Sequence, residues 1–431
     1  MNVLLVEPRG DKEWGKYNQY HGLLKIGAYH KSLHDKVFHV VGNVVPGMLD
    51  ERVIDKVYIA SLFSYWEHHY IDAIMFHRLH YPDAEIIFGG IHAINALPRV
   101  KKWAKELGVR IIPRMELAQT YRPAIELVPT NMASLLTSRG CPNACTYCSV
   151  NNIYGSKWTP RDVGDIIDEI RTQIHYGATE FALYDDNFLY SAETHALPLL
   201  KEIAKLQTML SKRVLFSVPS GFQASHMTPT IAKWMWRANF RGRISTSIES
   251  VDVGVLSTMG RGSWSSDTNL EHCVHYMSDA GYKSIGLTVY YICGLPYQTI
   301  ESMLATAIAI GRMGCVANMQ RFAPIPGTKD FERCGLEMMD MDMRETNGDT
   351  FVAPDQDNFT DEDLRAIAAF TRWQNAAMFY TFGRVNMYEE QTNRTLKRAM
   401  GMVGEMLRNP CPVYVPAPLE DEPNSSTGFG F

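Results

Sequence analysis

The apolar run Ala133-Ser-Leu-Leu-Thr137 leads directly into Ser138-Arg-Gly-Cys141-Pro-Asn-Ala-Cys145-Thr-Tyr147-Cys148, so a strand is followed at once by three cysteines on one tight loop. The C-x3-C-x2-C spacing brings three thiolates together. A [4Fe-4S] cube held by three cysteines keeps its fourth iron open, and an open coordination position is where chemistry occurs. The competing reading is a zinc knuckle, but zinc takes a fourth Cys or His at short range. None follows within the loop, and His175 lies a predicted helix away.

Working outward, a strand-then-helix rhythm runs from 133 to about 334, with strands expected at 133–137, 180–184, 214–218, 243–248, 284–293 and 319–323. Six such units predict a partial (β/α)6 TIM-like barrel over 131–335, open on one side, with active groups at the carboxyl ends of its strands. Upstream, short apolar runs at 3–6, 37–41, 57–60 and 86–88, with helices expected at 22–31 and 70–81, predict a small Rossmann or flavodoxin-like α/β domain over 1–112. Gly89-Gly90 reads either as a turn at the ligand-binding edge of that sheet or as a plain turn pair. Pro113, Pro123 and Pro129 predict a linker over 113–130. Downstream, 336–415 reads as helical, opening on a capping box at Thr360-Asp-Glu-Asp363, and 416–431 as a disordered tail. The Met338-Met-Asp-Met-Asp-Met343 run reads as a lid or disordered loop, or as core filling.

A hydrophobic content of 46% with 21% charge fits a packed globular enzyme, and a net charge of -5 argues against non-specific attachment to nucleic acid. The first residues show no basic stretch followed by a long apolar one, and no run approaches a membrane span. Five of the eight cysteines are scattered, which is no disulfide framework and predicts a reducing, cytoplasmic setting. His68 and His69 read as a pocket or metal pair, or as polar surface.

Arg139-Gly-Cys141 to Cys148, with the aromatic Tyr147 before the third cysteine, resembles the cluster loop of the radical S-adenosylmethionine (SAM) superfamily. Further motifs follow in the order that the resemblance implies. Tyr184-Asp185-Asp186-Asn187-Phe188 resembles the segment that meets the SAM amino group, with a solvated turn as the alternative. Ser247-Ile-Glu249-Ser and Leu256 to Gly262 resemble the next segment, making Glu249 a ribose or methionyl contact, or else a structural salt bridge. Tyr291-Ile292-Cys-Gly294-Leu-Pro-Tyr297-Gln298 resembles the strand whose backbone meets adenine, although Tyr297 replaces a small glycine and Gln298 a glutamate. Pro324-Ile-Pro-Gly-Thr328 completes the set.

The resemblance implies a [4Fe-4S] cluster on Cys141, Cys145 and Cys148, reductive cleavage of SAM to a 5'-deoxyadenosyl radical, and hydrogen abstraction from a substrate that no motif names. A reductant such as flavodoxin or ferredoxin is implied as partner, with no membrane and no clear nucleic-acid partner. The segments His21 to Gly27 and Phe88 to His92 resemble a truncated cobalamin-binding domain. The Asp-x-His-x-x-Gly lower-ligand motif is missing, since the partial match at His39-Val-Val-Gly42 has Val37 in place of Asp and falls on a predicted strand. Cobalamin is therefore open but not favoured. A cobalamin-dependent methyltransferase and a zinc-stabilised binding module without catalysis are the alternatives.

Overall fold

The computed structural model describes residues 1–8, 20–45, 54–262, 266–354 and 357–381. The tail, the helices expected beyond 381 and Cys411 lie outside the described residues. Two parallel sheets organise the chain. The first holds β1 (Asn2–Glu7), β2 (Lys36–Val41), β3 (Lys56–Ser61), β4 (Glu85–Gly90) and β5 (Arg110–Ile111) in the order β2-β1-β3-β4-β5. That is the flavodoxin-like order, whose switch point falls between β1 and β3. In β1, Leu4 and Val6 enter one core layer while Val3 and Leu5 enter the other. A strand buried on both faces must be apolar throughout, which is why this segment reads as an unbroken hydrophobic run.

The second sheet holds β6 (Met132–Leu135), β9 (Glu180–Leu183), β10 (Leu215–Gln223), β11 (Ile244–Glu249), β12 (Leu287–Cys293) and β13 (Val316–Arg321), all parallel and in sequence order. Between β6 and β9, a two-residue antiparallel bridge joins β7 (Ser138–Arg139) to β8 (Thr159–Pro160). Six strands in this order make an open barrel, so β6 and β13 are both edges with unpaired backbone groups. Side chains cover them. On β6, Ser134 O accepts from Gln173 Nε2 at 3.2 Å and pairs with His21 Nε2 at 2.9 Å, and Leu136 O beyond it accepts from Arg161 Nη1 at 2.6 Å. On β13, Asn375 accepts from Ala317 N at 3.0 Å and donates to Ala317 O at 2.7 Å, imitating a neighbouring strand.

Several expectations shift. β10 runs to Gln223, beyond the expected end at 218, because a register shift between Val218 and Phe222 carries the chain past Pro219 and Gly221. A bulge of this kind lets a strand hold residues that otherwise stop one. The sequence reading does not place helix Leu97–Glu106, whose proline lies in the first turn where a missing N–H leaves nothing unpaired. The 113–130 segment is packed rather than loose: Ala118 and Ile125 are buried, and Ala124 N donates to Leu24 O at 3.0 Å. The methionine run is ordered, with Met343 alone filling core, Met338 and Met341 half-buried and Met339 exposed. Met343 is buried, and Arg99 Nη1 donates to the carbonyls of Met338, Met339 and Met341, the same guanidinium being paired with buried Glu67.

The capping box forms, with Thr360 Oγ1 accepting from Asp363 N and Asp363 Oδ2 accepting from Thr360 N, and it opens helix Asp361–Thr381. That helix closes the barrel over β12 and β13. Among the described residues, no helix is long and apolar enough to cross a membrane.

Candidate active site at the barrel mouth

The three cysteines leave the carboxyl end of β6 on a loop fixed at both ends. Its entry turn is held by Asp185, which is 2% exposed and accepts from Thr137 N, Thr137 Oγ1, Ser138 N and Ser138 Oγ at 2.5–3.2 Å. Asp186 accepts from Gly140 N at 2.7 Å. Gly140 has φ +82°, and a Cβ there would meet Lys157 O at 2.1 Å, so only glycine makes this turn. The two carboxylates expected to meet an ammonium therefore fold the cluster loop onto the ends of β6 and β9. In Asp185, Oδ1 takes all four donors, while Oδ2 takes Thr137 N alone at 3.2 Å. Asp186 keeps a solvent-open face, yet the surrounding chain pushes its carboxyl up to about 6 by burial, against the pull of the Gly140 N–H.

Asn187 is the member of the motif that faces the cysteines. Its Nδ2 lies 3.6 Å from Cys141 Sγ and 3.4 Å from Gln223 Oε1, while its buried Oδ1 has no partner. A buried carbonyl oxygen left unpaired beside a reactive loop is an acceptor awaiting a donor. Gln223, at the end of β10, also accepts from Asn143 within the cysteine loop at 3.1 Å. The sequence reading missed it because it ended that strand early.

The exit of the loop is held by Asp330, wholly buried, which accepts from Thr146 Oγ1 at 2.6 Å, from Tyr297 Oη at 3.2 Å and from Arg333 Nη1 at 2.7 Å. Thr146 stands between Cys145 and Cys148, so Tyr297 has a role that a glycine there would lack. Tyr297→Phe removes one hydrogen bond to a buried carboxylate. It is expected to cost about 1–2 kcal/mol in urea unfolding and to leave the cluster spectrum in place. Gln298 latches the same strand exit, donating to Ile292 O at 2.8 Å and accepting from Leu295 N at 3.0 Å. Gly294 has φ +100°, and a Cβ there would sit 3.3 Å from Leu364 of the closing helix.

Across the mouth, Glu249 ends β11 with φ +62°, a conformation that costs a non-glycine residue about 1–3 kcal/mol. It is buried and accepts from Tyr147 Oη at 3.2 Å and from Arg261 Nη1 at 3.3 Å, while Arg261 also donates to Tyr147 Oη at 2.8 Å and to Ser247 Oγ at 3.1 Å. Burial pushes the Glu249 carboxyl up, opposed by the guanidinium and the phenol. Arg261 is the centre of this network. The sequence reading quoted its segment without giving it a role, since a buried guanidinium cannot be told from a surface one by spacing.

The cysteine thiols are half-buried, and burial pushes Cys145 up and Cys148 up to about 12. Such thiols are protonated until a metal displaces the proton. Among the described residues, no group of three His, Cys, Asp or Glu side chains could hold one metal ion. A zinc knuckle needs such a point of convergence, whereas a cube takes each cysteine on a different iron. The donor set fits the cluster: three thiols on one pinned loop, with an unpartnered amide oxygen beside them. The rings of His68 and His69, in helix Glu67–His80, lie 3.8 Å apart and tilted by 40°, and among the described residues they belong to no such group. Cys273, Cys293, Cys315 and Cys334 are buried free thiols.

In the first sheet, Gly89 and Gly90 are explained by the chain itself. A Cβ on them would meet Ile112 O at 2.2 Å and Ser61 O at 2.4 Å. His39 lies on β2 and pairs with Glu7 at 2.9 Å, with both side chains buried.

The family model of the Radical SAM superfamily matches residues 135–309, which runs from the last residue of β6 through the cysteine loop and past β12. Among curated proteins, cytidylyl-2-hydroxyethylphosphonate methyltransferase of Streptomyces wedmorensis is 27% identical over 217 residues, covering 48% of this chain and 38% of the relative. Bacteriochlorophyllide d C-12(1)-methyltransferase of Chlorobaculum tepidum is 23% identical over 212 residues, covering 47% and 42%. The chain thus spans about two fifths of the length of these relatives. Among solved structures, the radical SAM methyltransferase TsrM from Kitasatospora setae superposes with a TM-score of 0.62 at 16% identity, over 78% of this chain and 76% of that one. At that identity the likeness is one of fold. Barrel topology and family match agree that residues 135–309 are a radical SAM domain.

Proposed function

We propose that the protein is a radical SAM enzyme acting on a substrate taken in at the barrel mouth. The observation that carries this reading is the cysteine loop pinned by Asp185, Asp186 and Asp330, with Asn187 Oδ1 unpartnered beside Cys141. Cys141, Cys145 and Cys148 would hold the cluster. When bound, the cluster supplies the electron that cleaves SAM reductively, and the nucleoside fragment takes hydrogen from the substrate. Asn187 Oδ1 would accept from the SAM ammonium, and Glu249, oriented by Tyr147 and Arg261, would take ribose hydroxyls or the methionyl end. The main chain around Ile292 and Gly294 would approach adenine. Helix Asp361–Thr381 would exclude water from the mouth. A small electron carrier such as flavodoxin or ferredoxin would serve as reductant, in the cytoplasm.

A second reading is methyl transfer through cobalamin on the first sheet. It is favoured by the fold likeness, over 78% of this chain, to TsrM, a protein solved with cobalamin and a [4Fe-4S] cluster bound, and by the methyltransferases among the curated relatives. One preparation tests both readings. Anaerobic reconstitution followed by SAM and dithionite is expected to release 5'-deoxyadenosine. A fully loaded protein that never consumes SAM would sink the first reading. Corrin absorbance retained after hydroxocobalamin and gel filtration supports the second, and a cluster spectrum with no corrin bands removes it.

A further inference from the structure

The net charge of -5 is spread unevenly along the chain: residues 197–248 hold eight lysines and arginines and one acid, Glu202. This stretch builds helix Ala196–Met209, β10, helix Pro229–Arg237 and the start of β11. Its cations gather at the amino ends of β10 and β11, the base of the barrel, opposite the cysteine loop. Arg213 stands just before β10 and Arg241 just before β11. Arg213 Nη2 donates to Arg237 O at 2.6 Å, tying the turn before β10 to the end of helix Pro229–Arg237. Lys201 Nζ lies 5.8 Å and Arg237 Cζ 5.0 Å from the centre of one and the same ring, Trp234. Arg241 Cζ lies 3.8 Å from the centre of Trp236, which meets Tyr282 edge-on at 4.9 Å. Lys212 adjoins Arg213, and Lys233 stands one helical turn before Arg237. All six cations are exposed, and among the described residues none makes an ion pair. The one acid of the stretch, Glu202, is taken by Lys205 at 3.6 Å.

Like charges gathered without counter-charges repel one another, so folding gains nothing from placing them together. The indole rings hold three of these cations in place, and a pre-oriented guanidinium gives up less freedom on binding than a loose one. We propose that the base of the barrel docks RNA, with these cations on the phosphodiester backbone of a double-helical segment. Protein interfaces centre on apolar and aromatic side chains and are poor in lysine. Here the indoles lie half-buried beneath cations, and among the described residues of the stretch Met209 is the one large apolar side chain exposed. The same lack of apolar anchors speaks against a bilayer. Nucleic-acid interfaces, in contrast, are strongly positive and rest mainly on phosphate and sugar contacts. DNA is read by a helix or ribbon that enters its major groove, whereas duplex RNA is held by shape and by its phosphates. Among the described residues the base offers helix ends and short turns, which suit the second. An acidic electron carrier is set aside by distance: β10 runs about 25 Å from the base to Gln223, beside the cysteine loop. The surface stands apart from the chemistry at the mouth, and its failure would leave that reading untouched.

The test is fluorescence anisotropy of a labelled RNA duplex of about 16 base pairs, titrated with the full chain between about 50 and 200 mM salt. Binding is expected with a Kd of about 1–100 µM near physiological salt, weakening steadily as salt rises. The double variant Lys212→Gln/Lys233→Gln removes two exposed charges that make no side-chain hydrogen bond among the described residues. It should unfold at the wild-type Tm, bind about tenfold more weakly at low salt, and show a salt slope smaller by about 2. Lys101→Gln/Lys102→Gln removes the same charge from helix Leu97–Glu106 of the first sheet and should bind as the wild type does. No binding at the lowest salt overturns the proposal, and so does an equal loss in the two double variants, which would mean that overall charge alone is at work. A DNA duplex of the same sequence bound as tightly or more tightly overturns the choice of RNA. Polyglutamate that displaces the duplex at equal charge concentration also overturns it, in favour of an acidic protein.

Discussion

Replacing Cys141, Cys145 or Cys148 singly by Ala is expected to take the reconstituted protein from about four irons per chain to a small remnant, and SAM cleavage to background. Two thiolates cannot hold a cube that already has one open iron, and among the described residues no other Cys lies on the loop to take over. The four other described cysteines are buried in the core, where thiols behave as small apolar side chains. Cys315→Ala is therefore the control: a packing loss of about 1–2 kcal/mol with the iron content and visible spectrum unchanged. Iron analysis and absorbance near 400 nm on anaerobically reconstituted variants separate the two classes. A full iron complement in any of the three loop variants would mean that the triplet is not the ligand set.

What the sequence made legible was whatever depends on local pattern. The β1 run, buried on both faces, and the C-x3-C-x2-C loop each carry their reading within a few residues. So does the Thr360–Asp363 box, whose two partners are three apart. What escaped depends on contacts across long separations. Nothing local marks that Asn375 imitates a strand for Ala317, or that Asp330 reaches back to Thr146 over 184 positions. The Tyr184-Asp-Asp-Asn segment shows the difference most sharply. Its residue types suit an ammonium-binding cluster and suit a loop anchor equally well, and only the position of Thr137 and Ser138 assigns Asp185 to the second. Tyr297 is similar: the sequence flags it as unusual, and its reason lies on Asp330.

That assignment makes Asp185 the position, outside the cysteines, where one substitution should do most damage. Asp185→Ala leaves two backbone N–H groups and two hydroxyls of the β6 exit unpaired in a site that water does not reach, and removes a charged acceptor from each. Losses of about 1–3 kcal/mol for each unsatisfied buried group, partly recovered by relaxation, sum to about 3–5 kcal/mol. Set against a total stability of about 5–15 kcal/mol, that is a large fraction. Asp185→Asn refines the result. Its amide oxygen can stand where Oδ1 takes all four donors, with the NH2 at Oδ2, which only Thr137 N reaches, at 3.2 Å, so an anchor role predicts a smaller loss of stability for Asn than for Ala. A role in binding the SAM ammonium predicts a protein that folds and loads iron normally and loses affinity for SAM alone. Urea unfolding and iron content, measured before any SAM is added, carry the result: normal values for Asp185→Ala would return this carboxylate to the cofactor, and low values for Ala, partly restored in Asn, would place it under the cluster loop, with Asn187 as the polar group of the motif left to meet SAM.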